Sequence, residues 1–172
     1  MSEFIPVLTK EAIAARVKDV AQAISTDYRD CDLILVGILK GAFVFLSDLI
    51  RHLSIPVKVD FIWASSYGDG ISSSGRVKLV KDVDLEIKNK DIVIVEDIVD
   101  TGITLSYLVA HLRSSGAASV RICTLIDKKE RRKTDVHVDY VCHTVEKGFL
   151  VGYGLDYAEF YRNLPEVYHL KL

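Results

Sequence analysis

Two adjacent carboxylates, Glu96 and Asp97, close a run of hydrophobic residues in the segment IVIVEDIVDTGIT at 92–104. Asp100, Thr101, Gly102 and Thr104 follow at once, where the next helix should begin. A glycine-centred turn at a helix N-terminus exposes several backbone N–H groups, and the two threonines add hydroxyl donors. That combination is a cradle for phosphate. Carboxylates beside such a cradle would repel a bare phosphate. They suit a ligand that also carries sugar hydroxyls, which donate hydrogen bonds to them, and a Mg²⁺ ion met directly or through water.

Other patterns share parts of this segment. A hydrophobic strand ending in Glu-Asp is also a Walker B feature, but no G-x-x-x-x-G-K-[ST] occurs in the chain. A phosphorylated receiver strand would need an acidic cluster near the N-terminus, and none is present. A simple capped turn between strand and helix would not call for D-T-G-x-T after an acidic pair.

The elements that must hold these residues can be read from the apolar pattern. Thr9 is placed to cap a helix carrying Ile13, Val17, Val20 and Ile24 at helical spacing. CDLILVGIL at 31–39, DIVIVED at 91–97 and SVRICTLI at 119–126 are short continuous apolar runs, as expected of strands buried on both faces. Gly41 opens a helical pattern through Phe45, Leu46, Leu49, Ile50 and Leu53. A second helix is expected from about Thr104 to Ser114, stopped at Gly116. IPVKVDFIW at 55–63 and VKLV at 77–80 read as strands, and VDYVCHT and FLVGYG as two short ones. Between them, 64–75 holds three glycines and five serines with little to bury, and reads as a mobile loop. The tyrosine-rich end reads as irregular. Alternation of strand and helix predicts a parallel α/β sheet wrapped by helices, with ligands beyond the carboxyl ends of the strands. The loops after residues 36, 95 and 126 are therefore the ones that matter.

Composition bounds the rest. A chain of 172 residues without repeats or proline-rich linkers predicts one domain, 1–172. A hydrophobic fraction of 49% and a net charge of −2 fit an ordinary globular protein and argue against coating nucleic acid or an anionic membrane. The charged N-terminal stretch lacks a signal-peptide h-region, and no apolar run approaches the roughly 20 residues of a membrane span. Cys31, Cys123 and Cys142 are odd in number and lie in apolar stretches. They are expected to be buried free thiols in a reducing, cytoplasmic setting.

The segment VIVEDIVDTGIT is similar to the phosphoribosyl pyrophosphate (PRPP) signature of the type I phosphoribosyltransferases, and its E-D-I-V-D-T-G form resembles the hypoxanthine-guanine branch. VGILKGAFVFLSDLIRHL at 36–53, SSY in the loop, LIDK at 125–128 and FLVGYGLDYAEFYRNLP at 149–165 resemble that branch in the same order. The resemblance implies a parallel-sheet fold with a small hood formed by the terminal segments. It implies purine salvage: transfer of the phosphoribosyl group of PRPP to N9 of hypoxanthine or guanine, giving IMP or GMP and pyrophosphate with Mg²⁺. A homodimer or homotetramer is implied as well, with neither nucleic acid nor membrane as partner.

The resemblance also distributes roles. Glu96 and Asp97 would hold the ribose hydroxyls and, with Asp156, the metal. Asp100, Thr101, Gly102, Ile103 and Thr104 would line the 5′-phosphate loop, with Asp100 as general acid/base near N7 of the base. Ile103 departs from the wider family, at a position where a backbone N–H can do the binding. Lys40, Gly41 and Arg162 would meet pyrophosphate, with the Leu39–Lys40 peptide cis, and Ser66 and Tyr67 would belong to a lid. Lys128 would read the purine 6-oxygen, Phe149 would stack on the base, and Leu150 and Asp156 would meet its edge. By composition alone, Lys128 opens the KKERRK run of a solvated face, Phe149 is a core residue, and Asp156 and Arg162 are a surface ion pair. Two rivals remain at this level: a nucleotide-sensing RNA-binding regulator on the same fold, which the balanced charge disfavours, and an enzyme for adenine, uracil or orotate, which Lys128 and Phe149 disfavour.

Overall fold

A computed structural model describes residues 3–67 and 76–171, apart from the side chains of 66, 67 and 76. The chain runs β1 (Glu3–Leu8), α1 (Lys10–Asp27), β2 (Leu33–Ile38), α2 (Phe43–His52), β3 (Lys58–Tyr67), β4 (Arg76–Lys81), β5 (Asp91–Val99), α3 (Ile103–Ser114), β6 (Ser119–Lys128), β7 (Tyr140–Val145), β8 (Leu150–Val151) and β9 (Val167–Lys171). Six strands form one sheet in the order β4-β3-β2-β5-β6-β7, parallel except for β4. From β2 the chain steps outward to β3, whereas from β5 it steps the other way to β6 and β7. The order therefore reverses between β2 and β5, the position where open α/β sheets leave a crevice for ligands.

The apolar strand runs are continuous because each central strand feeds two cores. Leu33, Leu35, Val93, Val95, Cys123 and Leu125 pack with Ile13, Val17 and Ile24 of α1 and Phe45 and Leu49 of α2. Their neighbours Ile34, Val36, Ile92, Ile94 and Ile122 point to the opposite face and pack with Leu105, Leu108 and Leu112 of α3. Alternation along a strand thus assigns odd and even positions to different layers. Thr9 caps α1 as expected, its side chain accepting from Ala12 N.

Beside this body, β1, β9 and β8 form a separate antiparallel sheet, the hood. The tyrosine-rich end is therefore not wholly irregular: Val167–Lys171 pairs with the N-terminal strand. Conversely, the expected strand at 149–154 shrinks to two residues, because Gly152, Tyr153 and Gly154 all take positive φ and turn the chain. Ala64 and the three residues after it extend β3 rather than opening a loop, since the ladder with β4 is made by backbone groups that serine does not impair. Residues 68–75, with most of the expected lid, lie outside the described residues.

Cys31 is exposed, contrary to expectation, because the sheet begins only at Leu33. Cys123 and Cys142 are buried free thiols, and burial pushes the Cys142 thiol up to about 12. No helix among the described residues is long and apolar enough to cross a membrane.

Candidate active site

The crevice at the strand reversal is a cleft of about 320 Å³. The turn after β2 supplies Lys40 and Gly41, the end of β5 supplies Glu96 and Asp97, and the turn into α3 supplies Asp100, Thr101, Gly102 and Thr104. Asp156 and Arg162 reach it from the segment after β8. Ten of the residues singled out from the sequence thus share one cavity, although they come from three separate parts of the chain.

Local conformation explains how they meet. The Leu39–Lys40 peptide is cis. A Cβ on Gly41 would stand 1.8 Å from Asp97 Oδ2, so only glycine lets the carboxylate rest on that backbone. Gly102 is the N-cap of α3 at φ +81°, and a Cβ there would meet Thr134 O at 2.7 Å. With the chain turned this way, the first amides of α3 have no acceptor within the helix. Thr101 Oγ1 accepts from one of them, Ile103 N, at 3.3 Å, and Ile103 itself is the first helical residue.

Glu96 is buried and Asp97 half-buried. Burial, reinforced by the neighbouring Asp97 charge, pushes the Glu96 carboxyl well above the ordinary glutamate range. Burial also raises Asp97, against the pull of hydrogen bonds from Glu96 and Ile98 N and of the Arg162 charge. A divalent cation would add positive charge beside these two adjacent carboxyls, on which Arg162 is the only positive charge seen to act among the described residues. Among the described residues no three acidic, histidine or cysteine side chains form a metal-holding group, and Asp156 is paired instead with Arg162 at 3.0 Å. Mg²⁺ commonly uses one or two carboxylates and takes its remaining ligands from substrate phosphates and water. The Glu96–Asp97 pair fits that mode.

Asp100 stands between cations. Lys128 Nζ lies 3.8 Å from its Oδ1, and Arg131 lies 3.6 Å from its Oδ2. Asp100 lines the cleft with its side chain 28% exposed, while its Oδ1 is buried without a hydrogen-bond donor. Lys128, the last residue of β6, is 6% exposed and donates to Gly148 O at 3.1 Å, so it is not part of a solvated face. Phe149 is not core: it is 44% exposed, with its ring edge-on to Tyr157. Leu150 is buried and pairs with His169 in the hood. Lys128, Phe149 and Leu150 lie beside the cleft rather than lining it, and Lys128 connects to it through Asp100.

On the other side, Lys40 Nζ is 2.8 Å from Glu159 Oε2, and Arg162 bonds Gly154 O at 2.8 Å and approaches Glu159 at 3.4 Å. Arg162 Nε is a second buried polar atom without a partner. Glu159 was not visible from the sequence. Neither was the bracing of the 100–102 turn, where Thr101 O accepts from Lys133 N and Thr134 N, and Asp100 O from Arg132 Nε. The backbones of Ser66 and Tyr67 continue β3, and their side chains lie outside the described residues.

Comparison with known proteins is consistent with this geometry. A family model described as a phosphoribosyl transferase domain matches residues 7–158. The hypoxanthine-guanine phosphoribosyltransferase of Bacillus subtilis (strain 168) is 46% identical over 165 residues, covering 96% of this chain and 92% of that protein. A crystal structure of a hypoxanthine phosphoribosyltransferase from Staphylococcus aureus superposes with a TM-score of 0.93 at 43% identity, covering 96% of this chain and 90% of that one. A lysine-to-arginine variant of the Trypanosoma cruzi enzyme, solved as a ternary substrates complex, gives 0.91 at 39% identity, with 99% and 96% covered.

Proposed function

Because the chain belongs to the phosphoribosyltransferase family, in its hypoxanthine-guanine branch, we propose that it salvages 6-oxopurines, transferring the 5-phosphoribosyl group of PRPP to N9 of hypoxanthine or guanine. IMP or GMP and pyrophosphate leave. The observation that carries this reading is the Asp100 carboxylate, which lines the cleft with its Oδ1 3.8 Å from the Lys128 ammonium. A purine placed there offers a ring N–H to the carboxylate and a 6-oxygen to the lysine.

The division of labour follows. The bond from ribose C1′ to pyrophosphate breaks with oxocarbenium character, and N9 captures C1′. Glu96 and Asp97 hold the ribose hydroxyls, and the turn 100–104 holds the 5′-phosphate through the amides at the start of α3. Lys40, Gly41 and Arg162 receive pyrophosphate and stabilise its growing charge. Asp100 takes the proton that the base releases at N7. Phe149, 44% exposed, offers a stacking face, and the Leu150 backbone and Asp156 meet the base edge. Ser66 and Tyr67 open the segment assigned as lid, which excludes water that would otherwise hydrolyse PRPP. Glu96 and Asp97 would meet Mg²⁺ carried in with PRPP, which would supply charge neutralisation for the leaving pyrophosphate. The single domain spans 1–172, and a cytoplasmic homodimer or homotetramer belongs to the same reading.

The test is to incubate the chain with PRPP, Mg²⁺ and hypoxanthine and identify the product by mass. IMP is expected, with its formation abolished by excess chelator and restored by Mg²⁺. Full turnover in chelator would overturn the metal assignment, and absence of IMP would overturn the function.

A further inference from the structure

Arg132 sits in the charged run KKERRK, yet its side chain is only 17% exposed. Its guanidinium reaches two strand ends at once. Nε donates to Asp100 O at 3.0 Å, and a terminal nitrogen donates to Val99 O at 3.4 Å, both at the end of β5. The same nitrogen donates to Lys128 O at 3.2 Å, at the end of β6, and to the buried Asp127 carboxylate. Its aliphatic stem packs over Gly102, with Cδ 3.3 Å from where a Cβ would stand.

These contacts have a physical logic. Where two parallel strands end, their last carbonyls have no further strand to bond, and a buried carbonyl needs a donor. A guanidinium offers five donors in a rigid planar fork, whereas an ammonium is a point charge. Asp127 makes the arrangement affordable in a buried setting. Burial works to raise its carboxyl, but Lys129 and Arg132 more than offset this and hold it below the usual range. The buried cation therefore has a charged partner rather than standing alone.

We propose that Arg132 is a positioning residue for the transfer reaction, clamping the ends of β5 and β6 so that Asp100 and Lys128 address one base together. This rests on the roles assigned above to Asp100 and Lys128. Arg132 touches neither ligand in that reading. The ribose and pyrophosphate contacts of Glu96, Asp97 and Lys40 do not pass through it. Its loss therefore acts on kcat and on choice of base, and to a smaller extent on KM for PRPP, because the turn it braces is the one assigned to the 5′-phosphate.

The test uses Arg132→Lys, which keeps the charge beside Asp127 but cannot span both strand ends. With hypoxanthine, kcat is expected to fall about tenfold to a hundredfold, as for a displacement of the reacting groups by an ångström or so. KM for PRPP should rise by less than kcat falls, and the preference for hypoxanthine over adenine should narrow. Asp127→Asn should give a smaller loss of the same kind, and the double variant should be no worse than Arg132→Lys alone, because both changes loosen one clamp. A brace that serves only stability would lower the melting temperature and leave kcat and base preference unchanged well below it. That result overturns the proposal. If Arg132→Lys fails to fold, Asp127→Asn decides: unchanged kcat and preference sink the idea, and a parallel loss supports it. A wild-type chain that transfers to no 6-oxopurine would overturn the functional reading first, so the two failures are distinguishable.

Discussion

The two ends of the cleft are built in different ways. At the end assigned to the 5′-phosphate, the turn after β5 is latched by backbone bonds from 133 and 134 to Thr101 O and by a half-buried guanidinium on Asp100 O. At the end assigned to pyrophosphate, Lys40 is held by an exposed pair with Glu159, the side chains 49% and 63% exposed, while Arg162, only 18% exposed, pairs with Asp156 and Glu159. Exposed ion pairs are worth about 0–1 kcal/mol, so they are easily exchanged for a ligand. The backbone there is also unusual, since Ala158, Glu159 and Tyr161 all take left-handed φ without being glycine. Such conformations cost on the order of 1–3 kcal/mol each and persist only where surroundings impose them. The contrast teaches that the turn assigned to the 5′-phosphate is braced before any ligand arrives, while Lys40 at the other end holds a provisional partner.

The largest effect is expected at the latched end. Asp100→Asn keeps the carbonyl that Arg132 grips but removes the proton acceptor. kcat should fall by about 10²–10⁴-fold with little change in KM for PRPP, measured where chemistry limits turnover. An unchanged kcat would remove Asp100 from proton transfer.

A smaller effect is expected at the exchangeable end. Glu159→Gln frees Lys40 and Arg162 from their resident carboxylate, so pyrophosphate no longer competes with it. Product inhibition by pyrophosphate should tighten by about two- to fivefold, the range of an exposed pair. Weaker inhibition would mean that Glu159 supports the cations for binding instead of occupying them.

The smallest effect concerns stability. The folded state holds the Glu96 proton above the ordinary value of 4.5, so it binds more protons than the unfolded chain as pH rises from there. Stability is therefore lost through that window, and the ionised pair is unfavourable above it. Unliganded Glu96→Gln should melt at a higher temperature than the parent at pH 7.5, with the gap closing toward pH 4. Calorimetry at the two pH values reads this directly. A lower melting temperature at pH 7.5 would show that the pair stabilises the empty site.

What the sequence discloses follows from the range of the interactions. The central strands were legible because burial on both faces leaves no polar position to interrupt them, and the 92–104 segment was legible because its chemistry is contiguous. The hood was not readable from pattern, since Glu3 pairs with Lys171 and neither segment signals its distant partner. The family resemblance alone implied it. Arg132 escaped for another reason. In a run of six charged residues nothing local separates the one that turns inward from those that face solvent, and only the strand ends beneath it make the difference. Asp156 and Arg162 were open to two readings from the sequence, and the geometry makes them an ion pair that lines the cleft.

The most direct measurement is kcat/KM for hypoxanthine, guanine and adenine, on the parent and on Lys128→Ala. A lysine ammonium has donors and no acceptor, so it matches a 6-oxygen and faces a 6-amino group donor to donor. Sites built to bond one group reject the wrong one by roughly 10⁴-fold or more. The parent should use hypoxanthine or guanine and discriminate against adenine on that scale. Lys128→Ala should lose most 6-oxopurine activity and narrow the gap. A parent that uses adenine as well as hypoxanthine would contradict the assignment of Lys128 and of the substrate.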